Sequence, residues 1–250
     1  MKKVILLCGA LLAMSATFAY AGGLNMSWGS CTEDGGAANK NFACNSNSGS
    51  NVLVCSFEPN LTNNGTTNGN AIIVDLQSAT DPLPAWWNVN AAASNTLPNS
   101  NCRGNVVTVN ATISPAAVNC VDEFRGGETI GLGGYFITAT NKARIKIAGA
   151  VPQNNLASTA PGTQYFACNL AISNAKTVPT STCGGCSTPV CIVLNMIQVT
   201  AGGGALDENI VNPLTRNYVT WQGGAGITGG CPAAVPTKNT TWGAVKSLYR

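Results

Sequence analysis

Histidine is absent from all 250 residues. Without it there is no Ser-His-Asp or Cys-His nucleophile, no histidine-ligated zinc hydrolase, and no imidazole general base. Charge is scarce as well, with Asp, Glu, Lys and Arg making up 9% of the chain. So sparse a charge offers no basic patch to hold DNA, RNA or anionic lipid. No apolar run reaches the ~20 residues needed to span a bilayer as a helix. No long segment keeps helical periodicity, and no fixed-period repeat marks a propeller or solenoid.

What is present begins with the N-terminus. Lys2 and Lys3 precede an apolar run from Val4 to Met14, and Ala19-Tyr20-Ala21 follows. A basic start, a short apolar stretch and a small-x-small site form a bacterial export signal over residues 1–21, leaving Gly22 as the first mature residue. Cys8 then reads as an apolar signal residue, since a large Leu7 precedes it. Residues 22–250 are expected to form a single secreted or periplasmic domain. Once Lys2 and Lys3 are removed, 11 basic residues face 10 acidic ones. The 29 asparagines and 28 glycines make the surface polar without charge and the loops rich in turns.

Short segments rich in β-formers recur between Gly, Asn and Pro clusters. They predict strands near Leu24–Trp28, Asn51–Phe57, Ala71–Gln77, Asn105–Ile113, Thr129–Thr138, Ala143–Val151, Gln164–Ser173, Cys191–Thr200 and Tyr218–Gln222. The alternation is cleanest at Ala143–Val151, where Arg144 and Lys146 face water and Ile145 and Ile147 face inward. The fold class expected is all-β, a two-sheet antiparallel β-sandwich of jelly-roll or Greek-key type with long loops. One or two helical turns are expected over Pro115-Ala116-Ala117-Val118 after Ser114, and a short C-terminal helix carrying Trp242, Val245 and Leu248 on one face.

Ten cysteines follow the signal, and an even number in an exported chain predicts a disulfide framework. Period 2 places Cys55 with Leu53 and Phe57, and Cys168 with Phe166, Leu170 and Ile172. Both cysteines thus lie on apolar faces, and a core bridge Cys55–Cys168 is expected. Cys31–Cys44 and Cys102–Cys120 are expected as local staples worth about 3 kcal/mol each on the loop-entropy model. Cys183, Cys186, Cys191 and Cys231 remain, with two disulfides as the main reading. The C-x-x-C spacing also suits a tetrathiolate zinc site, which an oxidising compartment disfavours. A thioredoxin-type redox pair would need a βαβ context that Gly184-Gly185 and Ser187-Thr188-Pro189 do not provide.

Carboxylate chemistry is the one common catalytic class left open. Its candidates are Glu33, Asp34, Glu58, Asp75, Asp81, Asp122, Glu123, Glu128, Asp207 and Glu208, none of which forms a closely alternating pair on one strand. Asn60–Asn70 and Asp207-Glu208-Asn209 carry the oxygen ligands of a structural Ca²⁺, but lack an EF-hand pattern. No other cofactor is expected. Trp86 and Trp87 are candidate ligand-binding residues, because an exposed indole stacks on sugar rings, although adjacent residues ordinarily bury at least one ring.

The stretches LNMSWGSC, NKNFACNSNSGSNVLVCSF, VDLQSAT, LPAWW, CGGCSTPVCIVLN and TWGAVKSLYR resemble a group of uncharacterised secreted bacterial proteins. The resemblance covers nearly the whole mature chain and implies export and one domain, without implying a chemistry. The function expected is that of a non-enzymatic secreted or cell-surface β-sandwich, structural or binding a glycan or another surface component. The alternative is a carboxylate-dependent glycoside hydrolase on the same fold.

Overall fold

The computed structural model describes residues 22–89, 102–114, 116–179, 183–202, 207–224 and 231. The expected signal segment and the expected C-terminal helix lie outside these. The described chain is a two-sheet β-sandwich. All nine expected strands are present: β1 (Gly23–Trp28), β3 (Ser50–Glu58), β4 (Asn63–Ser78), β5 (Val107–Asn110), β6 (Thr129–Ala139), β7 (Lys142–Ala150), β9 (Tyr165–Ser173), β10 (Val190–Ala201) and β12 (Tyr218–Trp221). Three short ones join them: β2 (Asn39–Lys40), β8 (Ala157–Thr159) and β11 (Glu208–Ile210). Among the described residues after Ser114, Ala116 to Val118 form no helix; Ala117 N donates to Ser114 O and the chain moves on.

One sheet has four strands in the order β1-β3-β9-β5. The other runs β2-β12-β10-β4-β7-β6, with β11 beside β10 and β8 beside β4. Every pairing between strands is antiparallel except β12 with β2. The inward rows are Leu24, Met26 and Trp28; Leu53, Cys55 and Phe57; Ile72, Val74 and Leu76; and Ile145 and Ile147, all within one buried cluster. Period 2 produces each row, because alternate side chains of a strand share a face.

Bulges change two rows. Between Leu194 and Met196 the β10–β4 register slips, so Leu194 and Ile197 both reach the core although three residues apart. In β9, Cys55 faces Cys168 but Ser56 faces Phe166, leaving Ala167 as an extra residue. One extra residue turns everything beyond it onto the opposite face. Tyr165 therefore packs inward on Phe57, ring centroids 5.7 Å apart. Phe166, expected beside Cys168, instead joins Val54 and the Cys31–Cys120 bridge on the outer face.

β4 begins eight residues before its expected start, in a stretch with no apolar alternation. Cross-strand partners hold it there: Thr67 and Thr159 hydroxyls meet at 3.2 Å, both buried. Asn63, Thr67 and Asn70 are all buried, so this end of the core is polar.

Candidate functional site

The cysteines meet at long range. The bridges are Cys31–Cys120, Cys44–Cys186, Cys102–Cys183 and Cys191–Cys231. The local staples Cys31–Cys44 and Cys102–Cys120 are not formed, because each of these residues meets a partner brought from a distant loop by sheet pairing. Cys183 and Cys186 likewise pair outside their own cluster, so C-x-x-C is neither a dithiol pair nor a tetrathiolate here. Two separate loops clamp this segment from either side, and Trp221 Nε1 donates to Cys186 O across 2.6 Å. Cys55 and Cys168 are register partners on β3 and β9, as the strand faces implied. Both remain unbridged and buried, and the hydrogen bond with Cys55, followed by burial, pushes the Cys168 thiol well up.

Trp86 and Trp87 are core residues. A 3₁₀ turn, Ala85–Trp87, carries them. Consecutive residues there are ~120° apart, not opposed as in a strand, so both rings can turn inward. Trp86 stacks on Trp221 at 5.0 Å and meets Trp87 edge-on at 4.9 Å. With exposures of 0% and 1%, neither indole presents a face to a sugar. Beneath them lies Arg103, which the sequence did not single out. Its Nη1 donates to Trp86 O at 2.8 Å, its Nε to Ala175 O at 3.0 Å, and its Nη2 to Ser173 O. Its guanidinium lies 3.7 Å from the Trp86 ring centroid. Burial lowers its pKa to about 10, so it stays charged at neutral pH.

A half-open groove of about 760 Å³ lies on the outer face of the four-stranded sheet. Its apolar floor is Val52, Val54 and Phe166. Ile113 and Ala117 arch over that floor, fastened by Cys31–Cys120 and by Asp34, which accepts from Val118 N and Asn119 N. The rim is amide and hydroxyl: Asn39, Ser50, Asn110, Thr112 and Asn169, with Lys40 the one charged side chain among the described lining residues. Asn169 Nδ2 donates to Asn110 Oδ1 at 3.2 Å and Thr112 O at 2.7 Å. Among the described residues, Asn110 Nδ2 and Asn169 Oδ1 take no hydrogen-bond partner and are left as a donor and an acceptor on the groove wall.

Nine of the ten carboxylates accept a hydrogen bond from another residue, and most of these bonds hold loops. Glu208 grips Asn60 N and Leu61 N, and Asp207 accepts from Ala201 N. The acids of Asp207-Glu208-Asn209 are thus committed to Asn60, Leu61, Gln198 and Ala201, and Asn60–Asn70, which has no acid, is mostly strand β4. Asp75 forms the ion pair with Arg144 at 2.7 Å. The exception is Glu123, whose Oε2 is shielded from solvent and has no donor. Glu123 lines a pocket of about 420 Å³ with Asp122, whose oxygens take Phe124 N and Gly126 N. Burial pushes the Glu123 carboxyl well up, with the charges of Glu128 and Asp122 adding to it. Burial and Asp122 push Glu128 up to about 8, against the pull of Asn70. No cluster of three or more His, Cys, Asp or Glu able to hold a metal occurs among the described residues.

No protein-family model, curated protein or solved structure matches this chain. The groove and the acid-bearing end of the sandwich are the two places where its chemistry concentrates. One sequence signal did point to the groove. Val52 and Val54 occupy the outward positions of a strand, where a solvated face would carry polar residues.

Proposed function

We propose that the protein is an exported, non-catalytic binding protein that takes a neutral glycan chain in the groove over β3 and β9. The observation that carries this reading is the groove's lining of uncharged amides and hydroxyls over an aliphatic and aromatic floor. Sugars present hydroxyls that both donate and accept, together with apolar C–H faces. The free Nδ2 of Asn110 and Oδ1 of Asn169 match the first, and Val52 matches the second. The groove lining includes no Asp or Glu, so paired-carboxylate hydrolysis has no acid to work with there. Export is supported by the signal-like N-terminus and by four bridges of a kind that persists in oxidising compartments.

The alternative, glycoside hydrolysis, would draw on Glu123, the carboxylate with a shielded, unpartnered oxygen. It requires a second carboxylate across the same cleft, and Asp122 has both oxygens committed to its own turn.

A glycan array probed with the mature protein tests the proposal, followed by reducing-sugar release on any hit. Binding without release is expected, with Asn110→Ala/Asn169→Ala weakening it roughly tenfold or more, as the loss of one to two net hydrogen bonds implies. Binding unaffected by that double variant would place the ligand elsewhere, and sugar release would favour the hydrolase.

A further inference from the structure

We infer, resting on the glycan reading of the groove, that its ligand carries N-acetylhexosamine and that the acetamido group seats beside Asn110, Asn169 and Val52. Strand register brings these side chains together. Asn110 on β5 pairs with Asn169 on β9, and Asn169 pairs in turn with Val54 on β3. The three make one row across the outer face. Val52 lies two residues along β3 from Val54, on the same face and diagonal to Asn169. Diagonal neighbours of this kind stand about 7–8 Å apart, which leaves room for an acetamide between a hydrogen bond and a methyl contact.

Both side-chain amides are held in one orientation. Asn169 Nδ2 donates to Asn110 Oδ1 at 3.2 Å and to Thr112 O at 2.7 Å. Asn110 Oδ1 also accepts from Thr112 N at 3.1 Å. Turning either amide over would break these bonds, so Asn169 presents an acceptor to the groove and Asn110 a donor. Val54 and Phe166 beneath are each 4% exposed, whereas Val52 and Ile113 are half-buried and keep apolar surface open to a ligand. An acetamido group carries a donor, an acceptor and a methyl close together. Its N–H matches Asn169 Oδ1, and its methyl matches Val52 and Ile113. Asn110 Nδ2 then serves its carbonyl or the neighbouring ring hydroxyl. A plain hexose sets a hydroxyl where that methyl would lie, and a hydroxyl against aliphatic surface loses water without gaining a partner. A free amino sugar would meet no carboxylate among the described lining residues.

Calorimetry of the mature protein with matched sugars is the test. The pairs are chitotetraose with cellotetraose, N-acetyllactosamine with lactose, and any array hit with its analogue lacking the acetamido group. In at least one pair the acetylated member is expected to bind tenfold or more tightly, the discrimination an apolar contact gives for a methyl-sized group. Deacetylating that sugar to the free amine should remove the gain. Val52→Thr, close to valine in shape but polar, is expected to narrow the ratio within the pair about fivefold. Equal binding within every pair, or array hits confined to glycans without N-acetylhexosamine, would overturn the inference and leave the glycan reading standing. A preference unchanged in Val52→Thr would overturn it as well, by seating the acetamido group elsewhere. Binding to no sugar at all, or tighter binding of N-acetyltrialanine than of any sugar, would overturn the glycan reading itself.

Discussion

Arg103 holds two distant parts of the fold together from inside the core. It sits fully buried with no carboxylate near it, and its charge is met by three main-chain carbonyls and the face of Trp86. Those carbonyls belong to the Trp turn and to the end of β9, so one guanidinium ties the aromatic core to the four-stranded sheet. Truncation would leave three buried acceptors with no donor. Arg103→Ala is therefore expected to destabilise by on the order of 3–5 kcal/mol, read as a lower urea midpoint with an unchanged slope. Arg103→Lys should recover only part of this, because an ammonium lacks the planar fork that reaches three carbonyls at once. Nothing in the sequence marks Arg103, which stands in a polar loop beside Cys102. Only the fold shows what it reaches.

At the level of elements, the segment 122–128 behaves as an acidic plug at the mouth of β6. Glu128 is held by Asn70 and raised to about 8 from an ordinary 4.5. An acid whose folded pKa exceeds its unfolded one binds its proton more tightly in the native state. Its contribution is thus most favourable below about 4.5 and is lost as pH rises through about 8. The melting temperature is expected to fall across that window, and Glu128→Gln should flatten the slope. A melting temperature that climbs steadily from pH 5 to pH 8 would contradict this. The β9 bulge is the other element with consequences. By inserting Ala167 it sends Tyr165 to the core and Phe166 to the groove floor. Strict alternation assigned these two rings the other way round, because a bulge leaves no mark in a run of apolar residues.

Across the whole molecule, the four bridges connect residues 40 to 142 positions apart. On the entropy model, loops of that size are worth about 4–5 kcal/mol each, more than local staples would supply. Cys55 and Cys168 stand ready to make a fifth. Antiparallel register partners have Cα atoms about 4.5–5.5 Å apart, inside the range a disulfide needs. Closing the bond takes two protons and two electrons from the thiols, which a disulfide-donating oxidant of the exporting compartment would accept. Peptide mapping of exported protein under non-reducing conditions is expected to recover all four long-range pairs and a Cys55–Cys168 peptide. Two alkylatable thiols in the denatured, unreduced protein would show that the core pair stays reduced.

The strands themselves were legible because period 2 and turn residues are local properties. Nine segments could be placed from side-chain alternation and Gly, Asn and Pro punctuation alone, and the facing of Cys55 and Cys168 followed from the same count. The absence of histidine bounds the chemistry on its own. Cysteine pairing and the orphaned oxygens of Asn70 and Glu123 depended on which loops the two sheets bring together. So did the burial of both Trp86 and Trp87, which needed a 3₁₀ turn where alternation would have exposed one ring. Pairing, burial and satisfaction of polar atoms are relations between segments distant in the chain. A local pattern constrains each partner separately, and only the packed sandwich decides which partners meet.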